Sequence, residues 1–144
     1  MIEIVNRQRK IKVDRHVWRE FAARTTNLVA EATGKSLTIA FVSDGKMRQL
    51  NDEFRQKQVT TDVLSFPFQS NEYDSEENIG NLGDIVISVE QAQRQAEENN
   101  LTLELEISQL ILHGILHLSG YDHERDRGEM NALELKLRDK LGIS

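Results

Sequence analysis

Three of the four histidines in this 144-residue chain fall within one segment, HGILHLSGYDH, which runs from His113 to His123. Apolar residues at helical spacing lead into it and predict a buried helix over about residues 101–118. His113 and His117 are four residues apart, so both imidazoles project from the same face of that helix. Gly120 is expected to end the helix, because glycine adopts a left-handed conformation without a Cβ penalty. The chain can then turn back and bring His123 towards the other two histidines.

This arrangement predicts a site for a divalent metal ion. Two imidazoles at positions i and i+4 can bind one ion, and His123 would supply a third nitrogen. The chain has no cysteine, so thiolate ligands and disulfide bonds are excluded. Three protein ligands leave one position of a tetrahedral zinc ion open for water, which is typical of a catalytic site. We therefore predict one catalytic Zn²⁺ bound by His113, His117 and His123, although the same ligands also suit other transition metals.

The residue at position 114 bears on the reaction. The histidine spacing is that of the metzincin metalloproteases, in which a glutamate directly after the first histidine is the general base. This chain has Gly114 there. The motif therefore predicts a metal hydrolase, argues against a peptidase and leaves the reaction class open. A lone histidine is usually structural, and the fourth one, His16, is expected to be merely exposed.

The rest of the chain predicts an α+β fold, in which a small mixed sheet is covered by several helices and the metal site lies on a late, buried helix. Strands are predicted at residues 2–5, 37–42, 63–68 and 82–86, and helices at 14–32, from 43, at 88–99, at 101–118 and at 124–141. Pro67 predicts that the third strand ends there or lies at an edge. The polar, acidic residues 69–81 predict a mobile loop. Without a linker or repeat, residues 1–144 are expected to form a single domain.

Charge and hydropathy limit the partners and the location. No apolar stretch approaches the roughly 20 residues of a membrane-spanning helix, and the N-terminus does not resemble a signal peptide. We therefore expect a cytoplasmic protein. The net charge is −6, yet the first 60 residues carry 12 Lys and Arg against 7 Asp and Glu. A locally basic surface that attracts an RNA backbone is one interpretation; a solvated charged face is the other.

Four segments, in this order, resemble the YbeY family of bacterial endoribonucleases. They are the N-x-x-[YF]-R pattern and the T-[DN]-V-L-S-F-P pattern in LNDEFRQKQVTTDVLSFPF, the G-D-I of LGDIVIS, and HGILHLSGYDH. The match covers most of the chain from about residue 35 to 125.

The resemblance implies a zinc-dependent, single-strand-specific endoribonuclease. It would act in ribosomal RNA processing, including maturation of the 3′ end of 16S rRNA, and in ribosome quality control. His113, His117 and His123 would be the zinc ligands, and Arg55 and His113 the catalytic residues. A guanidinium such as that of Arg55 can bind a phosphate through two hydrogen bonds and stabilise charge growing on it. The expected partners are single-stranded RNA and the ribosome or its small subunit, with neither membrane nor DNA expected.

Other matched residues are predicted to be mainly structural. Asp62 would cap a turn or orient a side chain, Ser65, Phe66 and Pro67 would shape a cleft edge, and Gly83 and Asp84 would allow a close backbone approach. Asp122 is a candidate acceptor for an imidazole N–H. Tyr121 is expected to pack rather than to stack on a base.

In the predicted mechanism, the metal ion polarises a phosphate oxygen, activates water, or both. Arg55 neutralises the developing charge, and Lys46, Arg48 and Lys57 attract the RNA backbone. Attack by water and attack by the substrate 2′-hydroxyl both remain open. Two alternatives remain as well. One is a zinc hydrolase acting on another substrate, with Glu106 or Asp122 as its base. The other is a ribosome-associated binding protein in which the metal is structural.

Overall fold

The computed structural model describes residues 1–55, 61–68, 80–122 and 125–143. Within them, the strands are β1 (Ile2–Asn6), β2 (Ser36–Val42), β3 (Val63–Pro67) and β4 (Asn81–Ser88). The α-helices are α1 (Arg15–Leu28), α2 (Asp44–Arg55), α3 (Val89–Glu98), α4 (Leu103–Leu118) and α5 (Glu129–Leu141), and a short 3₁₀ helix spans Ala30–Ala32. Of the loop predicted at residues 69–81, positions 69–79 lie outside the described residues.

The four strands form one mixed sheet in the order β1-β2-β4-β3. β1 is parallel to β2 and β2 to β4, whereas β3 is antiparallel to β4. β3 is therefore an edge strand, which agrees with the prediction from Pro67, a residue that cannot donate a ladder hydrogen bond.

Alternate residues of the strands face opposite sides of the sheet, and each side buries its own apolar cluster. The larger cluster joins Ile39 of β2 and Ile85 of β4 to α1, α4 and α5. The smaller one joins Val86 of β4 and Leu64 of β3 to Met47 of α2. Each fully buried side chain of this kind contributes roughly 1.5–3 kcal/mol. The predicted α+β fold is thus confirmed, with α2 on the face of the sheet opposite α4.

Side-chain caps begin several helices where the sequence predicts them. Oδ1 of Asp14 accepts from the N–H of His16 at 3.0 Å, and Oγ of Ser88 accepts from the N–H of Gln91 at 3.3 Å. Within the described ranges, no helix combines the length and the apolar character needed to cross a membrane.

Two predicted helix boundaries are wrong. α1 ends at Leu28 rather than at residue 32, because Val29 has an extended backbone (φ −107°). The last helix begins at Glu129 rather than at residue 124. Gly128 before it has a φ of +103°, outside the helical region, and the carboxylate of Asp126 accepts from the N–H of Met130 at 2.9 Å.

Candidate active site

Helix α4 presents His113 and His117 on the side that faces away from the core. Thr102 caps its start, where Oγ1 accepts from the N–H of Leu105 at 3.1 Å. The rest of the helix is largely buried, and Ile111 and Ile115 are fully enclosed. His113 is half-buried and His117 is exposed. The predicted buried helix is therefore present, with its two histidines accessible.

Both histidines line a cleft of about 540 Å³ that follows the edge strand β3. Arg55, the last residue of α2, lines the same cleft from the opposite side of the sheet. The full lining consists of Phe54, Arg55, Val63, Leu64, Ser65, Phe66, His113, His117 and Asp122. The structure thus brings together the predicted catalytic pair, Arg55 and His113, and the predicted cleft-edge residues Ser65 and Phe66.

The antiparallel pairing of β3 with β4 depends on Gly83, which has a φ of +132°. A Cβ at this position would lie 2.1 Å from the carbonyl oxygen of Phe66. Gly83 therefore permits the close backbone approach that the sequence predicts, and it holds one wall of the cleft against β4.

The side chain of Glu134, on α5, contacts His113 and was missed by the sequence analysis. Its Oε1 lies 3.5 Å from Nδ1 of His113 and 3.5 Å from a terminal nitrogen of Arg138. Glu134 is buried in one row of α5 with Met130, Leu137 and Leu141. A carboxylate within an apolar helical row was the signal that could have revealed it, because buried charges need a partner.

The two groups stabilise each other's charged form. Hydrogen bonding to Glu134 raises the pKa of His113 above its usual value, although burial acts in the opposite direction. Burial alone would raise the pKa of Glu134, but hydrogen bonds and charges from His113 and Arg138 bring it below its usual value. A carboxylate beside Nδ1 places the proton of a neutral imidazole there and the lone pair on Nε2, the nitrogen that could then bind a metal.

A second polar group lies at the other end of α4. The side-chain amide of Gln95 lies between the carboxylates of Asp62 and Glu106. When its nitrogen faces them, this nitrogen donates to Oδ2 of Asp62 at 2.7 Å and to Oε1 of Glu106 at 3.1 Å. Burial, followed by the charge of Asp62, raises the pKa of Glu106. The charge of Asp62 also contributes to the raised pKa of His113. Asp62 therefore orients a side chain, one of the two roles predicted for it.

Gly114 packs against the sheet rather than towards the cleft. A Cβ at this position would lie 2.7 Å from Cδ1 of the fully buried Ile85. A glutamate here, as in the metalloproteases, would have to displace the side chain of Ile85. The packing of α4 on the sheet therefore favours glycine at the position of that base.

The chain turns sharply after α4 at Gly120, where φ is +102°. Tyr121 packs against the main core, and its hydroxyl donates to Oε1 of Glu31 at 2.9 Å. Asp122 lines the cleft, and its Oδ2 lies 3.5 Å from Nε of Arg125. The structure places the carboxylate of Glu134 beside the imidazole of His113. The role of Asp122 as an acceptor for an imidazole N–H stays a prediction.

His123, the predicted third ligand, lies outside the described residues, as does Lys57. Within residues 1–55, 61–68, 80–122 and 125–143, no three histidine or acidic side chains converge into a metal site. The part of the ligand set that is described fits zinc in its chemistry: two imidazoles from one helix face line a common cleft, and one has a carboxylate behind it.

Comparisons of the sequence with known proteins point to one family over most of the chain. The sequence model of a family described as Endoribonuclease YbeY matches residues 3–142. A protein named Endoribonuclease YbeY from Solibacter usitatus is 45% identical over 123 residues, which cover 85% of this chain and 76% of that protein. A protein of the same name from Carboxydothermus hydrogenoformans is 37% identical and covers 99% of both. A solution structure from Thermotoga maritima superimposes with a TM-score of 0.67 at 29% identity, covering 98% of this chain and 89% of that one.

Proposed function

The chain belongs to the YbeY endoribonuclease family, and we propose that residues 1–144 form one metal-dependent domain that cleaves single-stranded RNA. As a member of that family it is a hydrolase that acts on RNA. The proposal of metal-dependent cleavage of single-stranded RNA rests on one observation. Arg55 and the histidine pair come from helices on opposite faces of the sheet, yet they line the same cleft. A cleft with a guanidinium on one side and metal-binding nitrogens on the other suits a phosphodiester.

In this proposal, His113, His117 and His123 hold one zinc ion. When bound, zinc supplies Lewis-acid polarisation of a phosphate oxygen and lowers the pKa of water. Glu134 holds the ring of His113 in place through Nδ1. Arg55 grips the phosphate and stabilises the negative charge that develops on it. The exposed Lys46 and Arg48 of α2 add positive potential on the same helix as Arg55.

We propose ribosomal RNA as the substrate, with maturation of the 3′ end of 16S rRNA and ribosome quality control as the processes. The support is the family membership together with the site residues that match the family pattern. The ribosome or its small subunit would be the partner and the cytoplasm the location, with no membrane or DNA partner. Against the alternative of a peptidase stands Gly114, which occupies the position of the protease glutamate and where a Cβ would lie 2.7 Å from Cδ1 of Ile85.

The decisive experiment measures metal content and RNA cleavage on the same protein samples. Wild-type protein is expected to contain about one zinc per chain and to cleave a single-stranded RNA oligomer, and a chelator should abolish the cleavage. His113→Ala, His117→Ala and His123→Ala should each lose zinc and activity. The matched control is His16→Ala, because His16 is exposed on α1 and its Nε2 lies 3.1 Å from Glu20. This variant should retain both.

Arg55→Lys keeps the charge but loses the two-pronged hydrogen bonding of a guanidinium, so it should reduce cleavage while zinc content stays the same. Cleavage that survives both chelation and His113→Ala would refute the metal-enzyme assignment. A protein that binds zinc and RNA but cleaves none would instead support a binding protein with a structural metal. A single deoxyribose at the cleaved position identifies the nucleophile, since normal cleavage of it excludes attack by the 2′-hydroxyl.

A further inference from the structure

Phe54 is exposed although it lies on the apolar side of its helix. All five phenylalanines of the chain lie in the described ranges, and Phe54 alone among them is exposed, with 58% of its surface accessible. It shares the apolar side of α2 with Met47, which is fully buried. The last turn of α2 reaches the cleft instead of the sheet, and Phe54 is part of the cleft lining. An exposed ring at this position has no role in the core.

The ring is held in place from one side. Its centroid lies 5.2 Å from that of Phe66, and the two planes meet at 67°, an edge-to-face arrangement. Phe66 belongs to β3, where it pairs with Asp84 of β4, and it packs on the smaller apolar cluster. An edge-to-face contact covers at most one face of each ring. Phe66 therefore supports the ring of Phe54 from one side and leaves a face of it uncovered.

The chemistry around the ring limits what that ligand can be. Arg55 follows Phe54 directly, and both line the cleft with His113 and His117. Asp52 and Glu53, which precede Phe54 on α2, are exposed. A single ring among charged residues is too small a patch for a stable protein interface, which buries at least about 1,000 Å². A flat apolar group joined to a phosphate is a much better fit, and an RNA nucleotide is such a group.

We propose that Phe54, supported by Phe66, is a stacking site for one unpaired nucleobase next to the phosphate held by Arg55. This inference rests on the proposed function and deepens it, because it accounts for a preference for single strands. Bases in a duplex are already stacked on their neighbours, whereas an unpaired base can turn out onto an aromatic ring. Stacking on an aromatic side chain tolerates any base, so the site would select unpaired structure rather than sequence.

The test measures binding separately from cleavage. A fluorescently labelled RNA oligomer is titrated with metal-free protein in chelator, and its anisotropy gives the Kd. Phe54→Leu keeps an apolar side chain but no aromatic face, and it should weaken binding by about 5- to 100-fold. Phe54→Trp should bind at least as tightly as wild type. The control is Leu28→Ala, which removes an exposed apolar side chain of α1 outside the cleft lining and should leave the Kd unchanged.

A second arm locates the stacked base. A series of oligomers carries a single abasic nucleotide at successive positions, so that each lacks one base but keeps every phosphate. At one position of the series, the loss of the base should weaken binding to the wild-type protein by about the factor seen for Phe54→Leu. The same abasic oligomer should bind to Phe54→Leu almost as well as the intact oligomer does. If Phe54→Leu binds like wild type, or if both proteins give the same abasic profile, the stacking site is refuted.

Cleavage of the same RNA by the metal-loaded proteins separates the two proposals. Wild-type protein that cleaves in a chelator-sensitive manner while Phe54→Leu binds normally would refute the stacking site and leave the proposed function intact. Wild-type protein that neither binds nor cleaves the oligomer would refute both.

Discussion

Oε1 of Glu134 lies 3.5 Å from Nδ1 of His113, which links the last helix of the chain to the histidine helix α4. Arg138, one turn further along α5, lies 3.5 Å from the same carboxylate oxygen. The carboxylate is buried, so its charge acts on the imidazole with little screening by water. Glu134 therefore fixes the ring that faces the cleft, although it does not line the cleft itself.

We predict that Glu134→Gln lowers zinc affinity by roughly 10- to 100-fold, the usual effect of removing a carboxylate behind a metal-binding histidine. The amide has the size of the carboxylate but no charge, so it stabilises the orientation and basicity of His113 less well. Competition with a fluorescent zinc chelator measures the affinity, and circular dichroism verifies the fold.

Glu98→Gln is the matched control, because Glu98 is exposed at the end of α3. It removes the same charge from the protein and should leave zinc affinity unchanged. Equal affinities for wild type and Glu134→Gln would contradict the role assigned to Glu134.

We also predict that Glu106→Gln makes the metal-free protein more stable at neutral pH. Burial and the charge of Asp62 raise the pKa of Glu106 above 4.5, so the folded state binds its proton more tightly than the unfolded state does. Ionisation therefore costs stability as the pH rises from about 4.5 through the folded-state pKa, and the full cost remains above it. The amide introduced by this substitution could still accept from Gln95 without carrying a charge.

The measurement is the free energy of unfolding in urea between pH 4 and pH 8. The advantage of Glu106→Gln should be largest at neutral pH and should shrink towards pH 4.5, because wild-type Glu106 then becomes protonated. Glu104→Gln, an exposed substitution on the same helix, should show no such trend. If the wild type is more stable than Glu106→Gln at pH 7, the prediction is wrong and the charge of Glu106 stabilises the folded state.

Local signals explain why much of the fold could be predicted. The caps Asp14 and Ser88 act within three residues of their own position, and Pro67 marks an edge strand through its missing N–H. The start of the last helix was wrong because Gly128, with its positive φ, interrupts a stretch whose composition is helical. Such boundaries depend on one backbone angle rather than on a pattern.

The site was only partly predictable, because its parts meet through tertiary packing. The histidine spacing reflects a single helix and could be found by periodicity. The position of Arg55 opposite the histidines depends on α2 crossing the far face of the sheet, and only the family resemblance pointed to that residue. The contact of Glu134 with His113 depends on how α5 packs on α4. Phe54 continues the apolar spacing of α2. That spacing cannot show that the last turn of the helix reaches the cleft instead of the sheet.

Gly83→Ala is predicted to destabilise the protein and to disturb the cleft wall. The new Cβ would lie 2.1 Å from the carbonyl oxygen of Phe66, and the φ of +132° is unfavourable for alanine. Backbone strain of this kind costs about 1–3 kcal/mol, and separating β3 from β4 would add to it. Unfolding in denaturant measures the loss of stability. The amide resonances of β3 should also shift in NMR spectra.

Gly80→Ala is the control for this substitution, because a Cβ at Gly80 would meet no atom within 4 Å. Its stability should stay close to that of wild type. A Gly83→Ala protein as stable as Gly80→Ala, with an unchanged β3, would contradict this prediction, because it would show that a Cβ fits between β3 and β4 without strain.

The packing of Gly114 on Ile85 predicts a coupled pair of substitutions. Alanine favours a helix over glycine by about 1 kcal/mol. Gly114→Ala is nevertheless expected to lose roughly 1–2 kcal/mol net, because its Cβ would lie 2.7 Å from Cδ1 of Ile85 in a fully buried region. Ile85→Val removes that Cδ1 atom and alone should cost about 0.5–1.5 kcal/mol.

In the double variant, the removed methyl group makes room for the added one, so the total loss should fall short of the sum of the single losses by on the order of 1 kcal/mol. Urea unfolding of all four proteins measures this coupling. Gly45→Ala, in α2, is the control, since its Cβ would meet only Oγ of Ser43 at 3.9 Å and helix propensity should make it slightly more stable. Strict additivity of Gly114→Ala and Ile85→Val would contradict this prediction, because it would show that Cδ1 of Ile85 is not the atom that opposes a Cβ at position 114.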